Sequence, residues 1–172
     1  MDERVATAAM TSLSRPGVTV KTVSRDDLRR AIESMKRPAV AVADPTLEAV
    51  LSGTTVAVDP TPRQLDEAAT GITMSSCYIE ANGSIVLEDL SRGCGLVSLY
   101  VDHHVAVLRA RDGVRNLAAA VDRLSATVRD RRRSAIIASG PSATADMGEL
   151  VYGAHGPEHV HVLLLEEERA NG

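Results

Sequence analysis

Apolar residues recur along the chain in two periods, and the period changes from segment to segment. Residues 18–23 (VTVKTV) alternate apolar and polar side chains, the spacing of a strand with one covered face. Ser24 and Asp27 follow in capping-box spacing, and Leu28, Ala31, Ile32 and Met35 then lie along one helical face until Pro38 ends it. Residues 38–44 (PAVAVAD) are apolar at both parities, as a strand covered on both faces requires, which points to a parallel sheet with helices on either side. Residues 46–51 read as a short turn and residues 54–59 as a further strand. Thr61, Pro62 and Gln64 then supply an N-cap, a first-turn proline and a capping-box partner ahead of Leu65, Ala68 and Ala69.

From Gly71 the texture changes to short apolar pieces at residues 77–80, 84–87, 96–100 and 104–108, each read as a strand. Asn82-Gly83 between the first two is a hairpin signal, because both residues tolerate positive φ. Asp112 is placed to cap a long helix, with Val114, Leu117, Ala118, Val121, Leu124 and Val128 at helical spacing. Residues 134–139 and 159–165 complete the strands. The pattern predicts an α/β domain of three layers, with a mainly parallel sheet and a β-rich antiparallel insertion. Its expected limits are residues 18–165, preceded by a weakly helical arm over residues 1–17 and followed by a flexible acidic tail over residues 166–172.

Composition narrows the picture. The chain has 172 residues, enough for one domain; 44% are hydrophobic but only 2% aromatic, with no Phe and no Trp, so the core is built from Val, Leu, Ile, Ala and Met. A formal charge of -4 argues against a general nucleic-acid binder. Cys77 and Cys94 form no Cys-x-x-Cys, so neither an iron–sulfur nor a zinc framework is encoded, and a reducing compartment is expected. No apolar run approaches the ~20 residues of a membrane helix. The acidic start lacks the pattern of a signal peptide, so a cytoplasmic location without membrane insertion is expected.

Candidate chemistry concentrates in residues 139–157 (SGPSATADMGELVYGAHGP). Ligands of open parallel sheets collect beyond the carboxyl ends of the strands, and this segment is expected there. Gly140 permits a sharp turn, Pro141 presets φ for a first helical residue, and Ser142 or Thr144 can cap the helix that follows. The free N–H groups of that helix start would cradle a carboxylate or phosphate, with Asp146 in the first turn. The alternative is a plain strand–turn–helix junction with no ligand.

His155, between small residues, is either a proton-transfer or hydrogen-bonding group or a loop histidine bonded to a neighbouring carbonyl. His159 and His161 share one face of a strand but lack a third ligand, so no metal is assigned; Asp102, His103 and His104 read as a turn entering a strand. Ser139, Ser142 and His155 lack a Gly-x-Ser-x-Gly elbow, which excludes a serine hydrolase of that type. The cationic run at residues 129–133 reads as the solvated end of the long helix.

Four segments carry a resemblance: Gly71-Ile72-Thr73, Asn82-Gly83-Ser84-Ile85-Val86, the run from Ser139 to Asp146, and His155-Gly156-Pro157 before an apolar strand. In order and separation they resemble the lactate-utilisation domain family, over about residues 18–165. The resemblance implies a fold shared with ribose-phosphate isomerases, glucosamine-phosphate deaminases, CoA transferases and formyltetrahydrofolate cyclo-ligases. It also implies a role in oxidising L-lactate to pyruvate beside partner subunits that carry iron–sulfur clusters, with no cofactor in this chain.

Where the family pattern reads Gly-Ile-Thr-x-Ala-Asp, this chain has Ser76 in place of the Asp; where a Glu precedes the Thr-Gly, it has Ala81 with Glu80 beside it. The ligand-binding residues this reading names are Glu80, Gly83, Ser84, Gly140, Pro141, Ser142, Thr144, Asp146, His155 and Gly156, around a small anion such as the 2-hydroxy or 2-oxo acid. Two other readings stand beside it. One is a self-sufficient isomerase, transferase or cyclo-ligase acting on a phosphorylated or CoA-linked small molecule. The other is a structural homodimer with a vestigial cleft.

Overall fold

The computed structural model describes residues 3–88, 94–128, 134–144, 151–153 and 155–166. In chain order its elements are α1 (Glu3–Leu13), β1 (Val18–Val23), α2 (Arg25–Glu33), β2 (Ala39–Ala41), α3 (Pro45–Leu51), β3 (Ala57–Val58), α4 (Pro62–Asp66), β4 (Thr70–Met74), β5 (Cys77–Ile79) and β6 (Ser84–Glu88). There follow α5 (Cys94–Leu99), β7 (His103–Arg109), a 3-10 turn (Ala110–Asp112), β8 (Gly113–Val114), α6 (Leu117–Val128), β9 (Ala135–Ala138), β10 (Ala143–Thr144), β11 (Val151–Tyr152) and β12 (His159–Leu165).

Six strands form the main sheet in the order β1-β12-β7-β4-β2-β3, and every neighbouring pair is parallel. From β1 the chain winds outward through β2 to β3, then returns through β4 and β7 to β12. Right-handed crossovers therefore place α2 and α3 on one face and the elements of the return path on the other, which is the three-layer α/β arrangement. Strands buried on both faces explain the unbroken apolar runs: Val105, Val107 and Leu108 of β7 and Leu164 of β12 are fully buried. α1 contributes Ala9 and Leu13 to the same core and lies against β1.

A smaller sheet, β8-β5-β6-β9, sits on the return path, with β6 antiparallel to both β5 and β9. This is the antiparallel insertion. Its hairpin turns at Asn82-Gly83 as expected, with Gly83 at φ +60 and its amide donating to the Ile79 carbonyl at 2.7 Å. Cys77, Ile79 and Val86 close a satellite core with Ala120 and Leu124 of α6.

Helix starts follow the local code. Ser24 accepts the Asp27 amide at 3.0 Å, and Thr61 and Gln64 exchange both capping-box bonds at 2.9 and 3.4 Å.

Three expectations are corrected. Residues 46–51 belong to the helix α3, started by Asp44, whose Oδ1 accepts the amides of Thr46 and Leu47 at 2.8 and 3.1 Å. Residues 96–100, expected as a strand, lie mostly in α5, since a short apolar run fits a packed helix as well as a strand. Asp112 does not cap α6. Gly113 and Val114 pair with β5, Asn116 accepts the Ala119 amide at 3.0 Å, and Asp112 binds Arg123 at 2.9 Å. The cationic run at residues 129–133 lies outside the described residues. No helix among the described residues is long and apolar enough to cross a membrane.

Candidate functional site

Beyond β9 the chain turns at Gly140, whose φ of +110 belongs to glycine's range. The turn lies past the carboxyl end of its own strand but over the amino ends of the main sheet. Pro141 packs on Gly17 just before β1, and the Ser142 amide donates to the carbonyl of Pro157 just before β12, at 2.9 Å. The expectation of a site beyond the carboxyl ends of the main strands is corrected accordingly. The physical cause is that β9 belongs to the smaller sheet, which delivers residues 139–144 to the opposite rim.

Ser142 ties the two motifs together. Its carbonyl accepts the Gly153 amide at 2.9 Å, and its Oγ accepts the His155 amide at 3.1 Å. Ser142 thus makes three bonds to the loop that carries His-Gly-Pro, and its amide does not point outward as at a helix start. These bonds draw the chain into an extended ladder, so residues 143–144 form β10, antiparallel to β11, instead of the expected helix.

The sequence-derived residues divide into two groups around this turn. Gly83, Ser84 and Gly140 meet at a packed joint: the Ser84 and Ser139 hydroxyls are 2.7 Å apart, and Arg15 Nη1 donates to the Ser139 carbonyl at 3.1 Å. Gly83 lies so close to the Ser12 carbonyl that a methyl there would overlap it, and Gly140 faces the side chains of Arg15 and Val18. Arg15 Nε is buried without a partner among the described residues.

The second group is open. His155 and Gly156, with Leu99, Tyr100, Val101, Asp102 and Gly153, line a cleft of about 450 Å³. Thr144 pairs with Val151 in β10 and β11. Glu80 is exposed on the smaller sheet, beside the Tyr78 hydroxyl and Gly113, so it joins neither group. Asp146 lies outside the described residues. At the position where the resemblance expects an Asp, the Ser76 hydroxyl donates to the Val86 carbonyl at 3.1 Å and the Ser76 carbonyl accepts from Arg123 at 2.9 Å.

Sequence reasoning missed Tyr100, which is 67% exposed on the cleft wall, and it missed the company His159 and His161 keep. Strand register sets His159 directly opposite His103, and the rings stack with centroids 4.8 Å apart at 24°. His103 and His161 follow at 5.9 Å and 21°. All five histidines of the chain lie at residues 103–104 and 155–161, and the parallel register of β7 and β12 brings those two segments side by side. That clustering was the available signal. Stacked rings do not converge their nitrogens on one point, and among the described residues no group of three or more His, Cys, Asp or Glu is arranged to hold a metal ion.

The histidines differ in environment. His104 points to the other face of β7 from His103, is fully buried, and bonds Thr73 Oγ1 at 2.8 Å; burial first and His161 second push its pKa down to about 4. His103 is lowered by burial, then by Lys36 and the two stacked rings, against a smaller opposing pull from Asp102. His161 is lowered by burial and then by His159.

Comparison with known proteins places this geometry in context. A family model described as the LUD domain matches residues 5–165. A protein named Lactate utilization protein C, from Deinococcus radiodurans, is 33% identical over 105 residues, which cover 59% of this chain and 49% of that protein. The chain therefore spans about half the length of the curated relative it matches. A crystal structure of a DUF162 family protein from Deinococcus radiodurans superposes with a TM-score of 0.70 at 21% identity, covering 95% of this chain and 97% of that one. At that identity the likeness shows the fold.

Proposed function

The chain belongs to the LUD domain family, and on that premise we propose that it is a component of a cytoplasmic system that oxidises L-lactate to pyruvate. In this reading it binds a small anion while separate subunits carry the iron–sulfur clusters and the electrons. The name of the relative supports the lactate role. The observation that carries the reading is the cleft in which His155 and Gly156 face Tyr100 and Asp102, with Ser142 holding the His155 backbone in place. Its volume of about 450 Å³ falls within the ~300–1,000 Å³ of small-molecule sites. His155 supplies a ring N–H for a carboxylate oxygen.

Two features favour a binding component over a self-sufficient enzyme. Ser76 stands where the family pattern has a carboxylate and spends its hydroxyl on the Val86 carbonyl, and Glu80 lies on the smaller sheet apart from the cleft.

A thermal-shift screen of lactate, pyruvate, sugar phosphates, CoA esters and folates tests the reading. A ligand at a hundred times its Kd stabilises by about 2.7 kcal/mol. Lactate or pyruvate should raise Tm, and His155→Ala should remove that rise while leaving the unliganded Tm in place. A rise only with sugar phosphates, CoA esters or folates would replace this reading with the self-sufficient enzyme.

A further inference from the structure

The two walls of the cleft are the residues that lead directly into the stacked histidines. Tyr100, Val101 and Asp102 precede His103 at the start of β7, and Gly153, His155 and Gly156 precede Glu158 and His159 at the start of β12. Two amides join the walls: Glu158 N–H and His159 N–H both donate to the Asp102 carbonyl, at 2.9 and 3.1 Å. Immediately below that joint the His159 ring lies on the His103 ring. The stack thus lies at the base of the cleft, where its two walls meet.

We propose that this histidine stack is an acid-sensitive latch on the cleft, closed while the rings are neutral and released when they take up protons. The proposal adds regulation to the site described above and rests on that site being the binding cleft. Neutral imidazoles stack favourably, whereas two imidazolium rings in this arrangement repel and each gains by turning toward water. The charged groups around the stack set the balance. Lys36, from the segment after α2, faces His103 and opposes its protonation, while Asp102 favours it; Glu158 Oε1 sits 3.7 Å from His159 Nε2 and offers a partner to the charged ring; His161 adds a third ring on the inner side, with neutral His104 behind it. His103 is 8% exposed, so a charged ring there gains little water unless the stack opens. Opening separates β7 from β12 at their amino ends and breaks the two amide bonds to Asp102, while the long parallel ladder beyond them stays paired. Burial and the neighbouring charges lower His103 and His161, so the cleft walls part only as pH falls below the ordinary titration range of histidine.

Amide hydrogen exchange of the full ¹⁵N-labelled chain without ligand tests this, expressed as protection factors so that the intrinsic pH dependence of exchange cancels. Protection of the Glu158 and His159 amides should fall at least tenfold more between pH 7.5 and 5.0 than that of Val107 in the middle of β7, whose own fall reports the global loss set by His104. In His159→Phe, which keeps a stacking ring that cannot charge, the two amides should lose most of that pH response. Unchanged protection of Glu158 and His159 in the wild type would overturn the proposal. So would an equal fall at Val107, which would make the loss global, or an undiminished fall in the folded variant. No ligand is present, so failure here leaves the lactate reading standing.

Discussion

Thr73 Oγ1 and His104 Nε2 lie 2.8 Å apart between β4 and β7, both sealed from water. The bond lets a histidine sit in an otherwise apolar layer, because the ring nitrogen facing β4 is satisfied. Its neighbour His103 points to the opposite face and joins the stack, so consecutive histidines on one strand serve separate purposes: one is held neutral in the core and the other stands at the rim of the cleft.

The depressed pKa of His104 makes stability depend on pH. Its folded value is about 4, against about 6.5 in the unfolded chain. Between those values the unfolded state binds the proton and the native state does not, so stability is full above pH 6.5 and declines as pH falls toward 4. The loss from this group reaches about 3 kcal/mol at the lower end. Urea midpoints measured from pH 7.5 to 4.5 should fall, and His104→Gln should flatten the profile while lowering the midpoint at pH 7.5. An equally steep profile in the variant would contradict the assignment.

Gly71 is the contact point of α5 with the main sheet. A methyl there would overlap the Val97 carbonyl oxygen, a backbone atom of a packed helix that cannot yield cheaply. Gly71→Ala should cost about 1–3 kcal/mol by overpacking, read as a lower denaturation midpoint. A change within a few tenths would show that α5 can slide.

Gly83 is part of the joint and holds no wall of the cleft. Gly83→Ala places a side chain at φ +60 and against the Ser12 carbonyl, so it should destabilise by more than the ~1 kcal/mol of a left-handed residue alone. Titration calorimetry on the folded variant should find the affinity for the cleft ligand within twofold of wild type. A tenfold loss would move Gly83 into the binding machinery.

The hydroxyl pair Ser84–Ser139 joins β6 to the turn after β9. A double-mutant cycle with Ser84→Ala and Ser139→Ala should return a coupling of about 1 kcal/mol, the net worth of one hydrogen bond. A coupling near zero would mean that the two hydroxyls contribute independently.

Much of the fold was legible because it is written locally. Ser24 and Thr61 cap the helices their spacing announced, Asn82-Gly83 makes its hairpin, and the doubly apolar run at Val40 became a strand buried in a parallel sheet. Where local signals were ambiguous, partners decided. Asp112 has the chemistry of a cap, but Arg123 claims it, and the residues after it pair with β5.

The candidate site shows the same division. The sequence by itself marked Ser142, His155 and Gly156 as special, because Gly, Pro, Ser and His in that order restrict the backbone and carry chemistry wherever they fall. It could not say that Ser142 would bond the loop instead of starting a helix, that the segment would lie at the amino rim of the sheet, or that His103 would lie against His159. Those outcomes depend on which strands become neighbours and in what register, and β7 and β12 are separated by some fifty residues of chain. Periodicity tells which face a side chain takes on its own strand; only the assembled sheet, through burial of its two faces and hydrogen bonding across it, decides whose side chain lies opposite.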